Sequence, residues 1–155
     1  MPTPTQYIDR IEFIDRSIKL RIEGLTHADS MKQLPFPGNC MNWNIGHIMV
    51  YRDEYLGAID GVSVPDSAEW AIYGQGSEPL TDVTKAMPLD TLIERLDASS
   101  EHLKTVFQSL SPEKLKQPHE SWVGKTLDDH LNFYVVVHEA YHLGQLEILR
   151  ELALA

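Results

Sequence analysis

The chain has 155 residues, 43% of them hydrophobic, which suits one globular domain over 1–155 with its own core. The formal net charge is −10 and no Lys/Arg stripe carries interleaved aromatic residues, so we expect no nucleic-acid partner. A single cysteine, Cys40, excludes an intrachain disulfide, and no apolar run has the length of a membrane span, so we expect a cytoplasmic protein without membrane contact.

The first half of the chain contains two segments with helical periodicity. Isoleucines recur at three- and four-residue intervals between charged residues, which predicts a first helix over about 5–26. Prolines and a glycine then break the chain over 35–38, and Asn39 or Asn42 is expected to cap a second helix. This helix is predicted to run until Gly61 stops it.

Two further helices are predicted in the second half. The third follows Pro88 and continues to Leu110, and the 111–113 segment is expected to form at most a short extra turn. The last begins at a capping box formed by Thr126 and Asp129 and continues to the end of the chain. No alternating pattern predicts a strand that competes with these four helices.

Four amphipathic segments in one short chain predict an all-α fold, a four-helix bundle. The connection over 61–87 is longer than an antiparallel helix hairpin needs, so we expect a long crossover that makes the second and third helices parallel. Two aromatic residues in this connection, Trp70 and Tyr73, are expected either to cap the core or to line a substrate pocket.

The most informative motif is H-E-A-Y-H, which places His138 and His142 one turn apart on the last helix. On a helical wheel both imidazoles share the apolar face of Leu131 and Tyr134, and Gln145 lies on that face as well. Polar side chains within an apolar stripe must be hydrogen-bonded or metal-bound to compensate for lost hydration. The spacing therefore predicts half of a metal site.

The second predicted helix offers a third imidazole. His47 shares its face with Trp43 and Tyr51, and in a bundle this face can meet the last helix. Three converging imidazoles would leave positions on an ion open for water or substrate. Trp43, Tyr51 and Gln145 are candidates for a substrate pocket, with core packing as the alternative role for each.

The opposite face of the second predicted helix is also apolar. It carries Ile45, Met49 and Leu56, which one bundle core would not need in addition to the His47 face. An isologous contact with a second copy would cover this surplus, so we expect a homodimer.

Two segments together resemble a known family: P-F-P-G-N-C-M-N-W-N-I-G-H-I, and T-L-D-D-H-L-N-F-Y-V-V-V-H-E-A-Y-H-L-G-Q-L. They are similar to the DinB-like (YfiT-like) family of metal-dependent proteins, over nearly the whole chain. The resemblance implies a four-helix bundle with a long crossover, in which His47, His138 and His142 bind a divalent ion, nickel, zinc or another transition metal. Similar proteins include bacillithiol-dependent thiol transferases and mycothiol-dependent isomerases, which makes a low-molecular-weight thiol a candidate cofactor.

These observations favour an enzyme in which the ion activates a thiol or a water against a small-molecule substrate, as in a thiol S-transferase. A metal-dependent hydrolase and a non-catalytic metal- or ligand-binding stress protein remain alternatives. H-E-x-x-H also matches the zincin peptidases, with Glu139 as general base, but Gln145 and Ile148 replace the Gly and His of the extended motif. Glu139 is therefore expected to be a solvated or rim carboxylate that can still accept a proton.

The other four histidines have no converging partners on the predicted helix faces and are expected to be surface or structural residues. They are His27, His102, His119 and His130.

Overall fold

The computed structural model describes residues 2–60 and 68–155 and is an all-α helical bundle. Its long helices are α1 Pro4–Ile22, α3 Met41–Asp60, α5 Leu89–Gln108, and a C-terminal helix that comprises α7 Leu127–Leu131, a π-helical segment Asn132–His138 and α8 Glu139–Leu154. The short elements are α2 His27–Ser30, α4 Ala68–Ala71, α6 Pro112–Leu115, β1 Pro118–Ser121 and β2 Gly124–Thr126. Among these described helices, none is both long enough and apolar enough to cross a membrane.

Two hydrogen bonds show the relative direction of α3 and α5. Asn42, at the start of α3, donates to the carbonyl of Met87 just before α5, at 2.9 Å. Arg52 in the middle of α3 donates to Ser100 in the middle of α5, at 2.8 Å. The two helices therefore begin at the same end and run parallel, as the length of the connection predicts.

The C-terminal helix lies between α1 and α3. It runs parallel to α1, because Tyr7 donates to Asp128 at 3.1 Å near one end and Arg21 pairs with Glu147 at 2.7 Å near the other. It runs antiparallel to α3, whose N-terminal half contacts α8. This antiparallel pair positions the candidate site, since both histidine-bearing segments belong to it.

Two predicted helix boundaries differ from the structure. The first helix ends at Ile22, and Gly24, with a φ of 77°, separates it from α2. Asn42 does not cap α3, because it lies inside the helix as a fully buried residue bonded to neighbouring elements. Gly61, the predicted stop signal of this helix, lies outside the described residues.

A short β-hairpin, which the sequence patterns do not predict, precedes the C-terminal helix. Its strands pair antiparallel, with Pro118 opposite Thr126 and Ser121 opposite Gly124. Strands of four and three residues are too short to show the alternation that predicts a half-buried strand. The hairpin carries Trp122 at its turn, where the side chain is 78% exposed.

The C-terminal helix is not α-helical throughout, because residues 132–138 form i→i+5 hydrogen bonds. In an α-helix, Phe133 would lie about 140° around the axis from His138, since five residues turn about 500°. In a π-helix, residues five apart lie on the same side. The segment thereby brings the Phe133 ring to 6.4 Å from the His138 ring, measured between centroids.

The second apolar face of α3 is covered within one chain. Ile45 is fully buried, and Met49 and Leu56 are almost as buried, in clusters that include Leu92 and Leu103 of α5. The expectation that this face is surplus to one chain is therefore wrong, and no second copy is needed to cover it. The physical reason is the crossover, which places α5 alongside α3 and buries a second side of that helix.

Gly46 allows Tyr73 to pack directly against α3. A Cβ atom at Gly46 would lie 2.3 Å from Cδ1 of the Tyr73 ring, which is fully buried. The Tyr73 hydroxyl donates to Asn42 at 3.0 Å and accepts from the Met87 backbone at 2.8 Å. Tyr73 therefore caps the core, which is one of the two roles predicted for it.

We expect Gly46→Ala to lower the free energy of unfolding by about 1–3 kcal/mol, because a rigid buried ring must move. Gly144→Ala is the matched control, since it adds a methyl group to a helical glycine with nothing within 4 Å. That control should raise the stability by about 0.5–1 kcal/mol through helix propensity. Urea unfolding of both variants measures the difference, and equal stabilities would contradict the close packing.

Candidate metal centre

The structure brings the three predicted histidines together. His47 comes from α3, His138 ends the π-helical segment and His142 lies one turn later in α8. One nitrogen from each ring lies within 4.8 Å of the other two, and Nε2 of His138 is 3.2 Å from Nε2 of His142. Among the described residues, this is the one group of three or more His, Cys, Asp or Glu side chains with such convergence.

Hydrogen bonds fix the orientation of two of the rings. His47 Nδ1 lies 2.6 Å from the carbonyl oxygen of Tyr73, which can only accept, so Nδ1 carries the proton. His142 Nδ1 lies 2.8 Å from Oδ1 of Asn44 and 2.7 Å from Oε1 of Gln145. Both Nε2 atoms are then left with free lone pairs, as metal-binding imidazoles require.

Burial keeps these imidazoles neutral. It lowers the pKa of His47 despite the hydrogen bond to Tyr73. Burial, followed by repulsion from the other two imidazoles, lowers the pKa of His138 to about 3. Burial and then His47 lower the pKa of His142 to about 4. Neutral imidazoles are the form that binds metal ions.

The donor set fits a divalent transition-metal ion. Two nitrogens that bind one ion at about 2.0–2.1 Å with tetrahedral geometry are roughly 3.3 Å apart, close to the separation of the His138 and His142 Nε2 atoms. Two lone pairs at this distance repel unless a proton or a cation lies between them. His138 Nδ1 is buried without a hydrogen-bond partner in the described chain, so its ring is held by packing.

A cavity of about 470 Å³ opens beside the histidines and contains two of the predicted pocket residues. Trp43 stacks on the His47 ring at 4.3 Å, and the Tyr51 ring lies 4.4 Å from that of His138, both measured between centroids. Gln145 does not line the cavity; it lies behind His142 and accepts its Nδ1 proton.

The cavity has further walls that sequence reasoning missed. The connection before α5 contributes Gln75–Ser77, although its Trp70 and Tyr73 do not line the cavity. The hairpin contributes Trp122, and the C-terminal helix contributes Phe133 and Tyr141. Tyr134 also lines the cavity, and it is the one of these further wall residues that the sequence indicates, because helical periodicity places it on the face of His138.

The expectation that Glu139 is a solvated or rim carboxylate is wrong. Its side chain is fully buried, and it accepts hydrogen bonds from Arg52 at 2.7 and 3.0 Å and from the Tyr55 hydroxyl at 2.8 Å. Asp15 pairs with the same guanidinium and accepts from the Ser100 hydroxyl. Glu139 is thus held in an ion-pair network and forms no hydrogen bond with the three histidines.

The network also controls the charge of Arg52. Burial alone would lower the pKa of its guanidinium, but Glu139, Tyr55 and Asp15 together hold that pKa well above its ordinary value. A charged arginine between two carboxylates joins α1, α3 and α8 directly next to His138.

Two histidines expected to lack partners form a separate pair. The rings of His119 and His130 meet edge to face at 4.3 Å, and His130 is buried with neither ring nitrogen hydrogen-bonded in the described chain. Burial, with a smaller contribution from His119, lowers the pKa of His130 to about 4. The pair is not part of the three-histidine cluster.

Comparisons with known proteins agree with the helical-bundle fold. The sequence profile described as the DinB superfamily matches residues 14–146. A crystal structure described as the conserved protein of locus from Enterococcus faecalis superimposes with a TM-score of 0.77, covering 99% of this chain and 98% of that one. Its sequence identity of 16% supports the fold alone. No curated protein matches the sequence.

Proposed function

The chain belongs to the DinB superfamily, whose members are often metal-binding, and on this premise we propose a metal-dependent enzyme that acts on a small molecule. In this proposal His47, His138 and His142 hold a divalent transition-metal ion, nickel or zinc. The reaction is the transfer of a low-molecular-weight thiol to an electrophile. The observation that carries the proposal is the convergence of three neutral imidazoles on the wall of an open cavity.

When bound, such an ion supplies a Lewis acid that lowers the pKa of a thiol or a water. The side chains around the site orient the three rings and the substrate. The Tyr73 carbonyl and the Asn44 and Gln145 amides hold two imidazoles with their Nε2 atoms directed to the centre. Loss of such outer contacts typically weakens metal binding by roughly 10- to 100-fold.

Tyr51 is a candidate substrate-binding residue. Burial, followed by Tyr134 and Glu54, raises the pKa of its hydroxyl, so the hydroxyl stays protonated at neutral pH. It donates to Oε1 of Gln75 at 3.1 Å beside the cavity. A substrate oxygen that replaces Gln75 would receive this hydrogen bond.

The protein itself does not supply the thiol. Cys40 is fully buried, and burial raises the pKa of its thiol, which disfavours the reactive thiolate. It lies outside the residues that line the cavity. The nucleophile must therefore come from a bound thiol or from water.

The test is a transfer assay with tag-free protein loaded with Ni²⁺ or Zn²⁺. Bacillithiol, mycothiol and glutathione are each offered with 1-chloro-2,4-dinitrobenzene, and chelator-treated protein is the background. We expect at least one thiol to react faster with the loaded protein. Cys40→Ala should keep the full rate, whereas His138→Ala should lose it.

The assay also decides between transfer and hydrolysis. If no thiol reacts above background while a simple ester or amide is cleaved in a metal-dependent way, the transferase proposal fails and a hydrolase replaces it. Bound metal without either reaction would leave a metal- or ligand-binding protein, which also contradicts the proposal.

A further inference from the structure

The cavity wall beside the histidines is aromatic and carries no formal charge. Its thirteen described lining residues include six aromatic side chains and no Lys, Arg, Asp or Glu. With 3 Trp, 6 Tyr, 4 Phe, 13 Lys or Arg and 23 Asp or Glu in 155 residues, composition alone would place about one aromatic and about three charged residues there. The aromatic residues are Trp43, Tyr51, Trp122, Phe133, Tyr134 and Tyr141.

Among the described lining residues, no side chain carries a positive charge that could pair with an anionic group of a ligand. Carboxylates and phosphates are normally bound by arginine, by lysine or by a cluster of backbone amides. The net charge of −10 also repels anions at long range. A cationic ligand would be repelled by an ion held between His47, His138 and His142. An anionic group could bind only at that ion, so a ligand that occupies the aromatic wall beside it is uncharged.

The aromatic side chains also indicate the shape of this molecule. Trp122 and Tyr141 are 78% and 63% exposed, although both line the cavity. Trp122 meets Phe133 edge to face at 4.7 Å, and Tyr51 stacks on Tyr134 at 4.9 Å. Flat rings at a cavity mouth bind another flat ring through offset or edge-to-face contacts while removing apolar surface from water.

The geometry points to an uncharged, aromatic-ring-bearing molecule as the ligand of this cavity, with Trp122 and Tyr141 covering its ring. The inference rests on the proposed function only in taking this ligand as the substrate. A volume of about 470 Å³ suits a molecule of one or two rings.

The test uses two naphthalene probes of nearly equal shape, uncharged 2-acetylnaphthalene and anionic 2-naphthoate. Their dissociation constants are measured by calorimetry on chelator-treated protein, where a carboxylate cannot coordinate an ion. We expect the ketone to bind at least about tenfold more tightly than the carboxylate. Equal binding, or tighter binding of 2-naphthoate, would overturn the inference.

A third probe tests the cationic alternative. The dissociation constant of 2-naphthylmethylammonium is compared with that of the ketone on metal-loaded protein. We expect the ketone to bind more tightly. Tighter binding of the ammonium would indicate an aromatic cage for cations and would contradict an uncharged ligand.

Variants identify the binding surface. Trp122→Ala should weaken binding of the ketone by about tenfold, because one stacking partner is lost. The Trp122 side chain is too exposed to contribute much to the stability of the fold. Phe13→Ala is the matched control, because Phe13 is an aromatic residue of α1 that is 56% exposed and lies outside the cavity. Equal weakening by both variants would refute a role for the hairpin tryptophan.

Metal removal and the Trp122 variant separate this inference from the metal proposal. Trp122→Ala should keep its metal while losing affinity for the ring, and the chelator-treated parent should lack metal while keeping affinity for the ring. If the parent binds the ketone without binding metal, the metal proposal fails and the ring site remains. If the parent binds metal but not the ketone, the inference of a ring-binding site is refuted and the metal proposal stands.

Discussion

Glu139→Ala should be among the most destabilising single substitutions in the chain, with a loss of about 3–5 kcal/mol in the free energy of unfolding. The substitution leaves the buried Arg52 guanidinium without its bidentate partner and the Tyr55 hydroxyl without its acceptor. The guanidinium then keeps only its ion pair with Asp15, which does not compensate fully for the desolvation of a buried charge. Chemical unfolding followed by circular dichroism measures the loss.

Two controls distinguish the loss of a buried ion pair from the loss of an ion pair as such. Lys19→Ala removes an ion pair with Asp97 in which both side chains are about half exposed, and it should cost less than about 1 kcal/mol. The triple variant Asp15→Asn, Arg52→Met, Glu139→Gln should be less destabilised than Glu139→Ala, because all three charged groups of the network are replaced together and no unpaired charge remains. A loss for Glu139→Ala no larger than that for Lys19→Ala would contradict the structure of this network.

His138→Ala should weaken metal binding by more than about 100-fold, while the protein stays folded. Removal of an outer-shell partner alone costs roughly 10- to 100-fold, so loss of a ligand should cost more. Chelator competition measures the dissociation constant. His102→Ala is the matched control, since His102 is an exposed histidine outside the cluster, and its metal affinity should equal that of the parent.

A parent-like affinity in His138→Ala would show that this imidazole is not a ligand. His47→Ala and His142→Ala should behave like His138→Ala, because each ring contributes one nitrogen to the same centre. A difference confined to one of the three would assign the metal to the other two and to a donor outside this cluster.

The histidine cluster was predictable because two local rules determine its components. The i,i+4 spacing places His138 and His142 on one face of a helix, and the same helical periodicity places His47 beside Trp43 and Tyr51. Bundle topology then allows one relevant pairing, α3 against the C-terminal helix. The aromatic neighbours follow from the same periodicity.

The environment of Glu139 was not predictable in this way. A residue next to His138 lies about 100° away on the helix, where an isolated amphipathic pattern indicates a flank exposed to solvent. Its partner Arg52 is 87 residues away in sequence and lies in α3, where a charged residue among apolar ones is typical of a surface position. Only the packing of α1, α3 and α5 around that point makes the flank part of the core.

Two residues of the cavity wall, Phe133 and Trp122, could not be predicted because no local sequence pattern indicates the structures that bring them there. Phe133 reaches the cavity because of the π-helical segment, which no wheel with about 3.6 residues per turn anticipates. Trp122 reaches it because a hairpin too short for an alternating pattern folds next to the C-terminal helix. The histidine positions were therefore predictable, whereas the surface expected to select the ligand required the structure.

The metal content of tag-free protein tests the central claim most directly. Elemental analysis of the parent and of the triple variant His47→Ala, His138→Ala, His142→Ala, purified side by side, gives the number of transition-metal ions per chain. We predict about one ion in the parent and essentially none in the folded triple variant. Equal metal contents in the two proteins would contradict a metal centre formed by these three imidazoles.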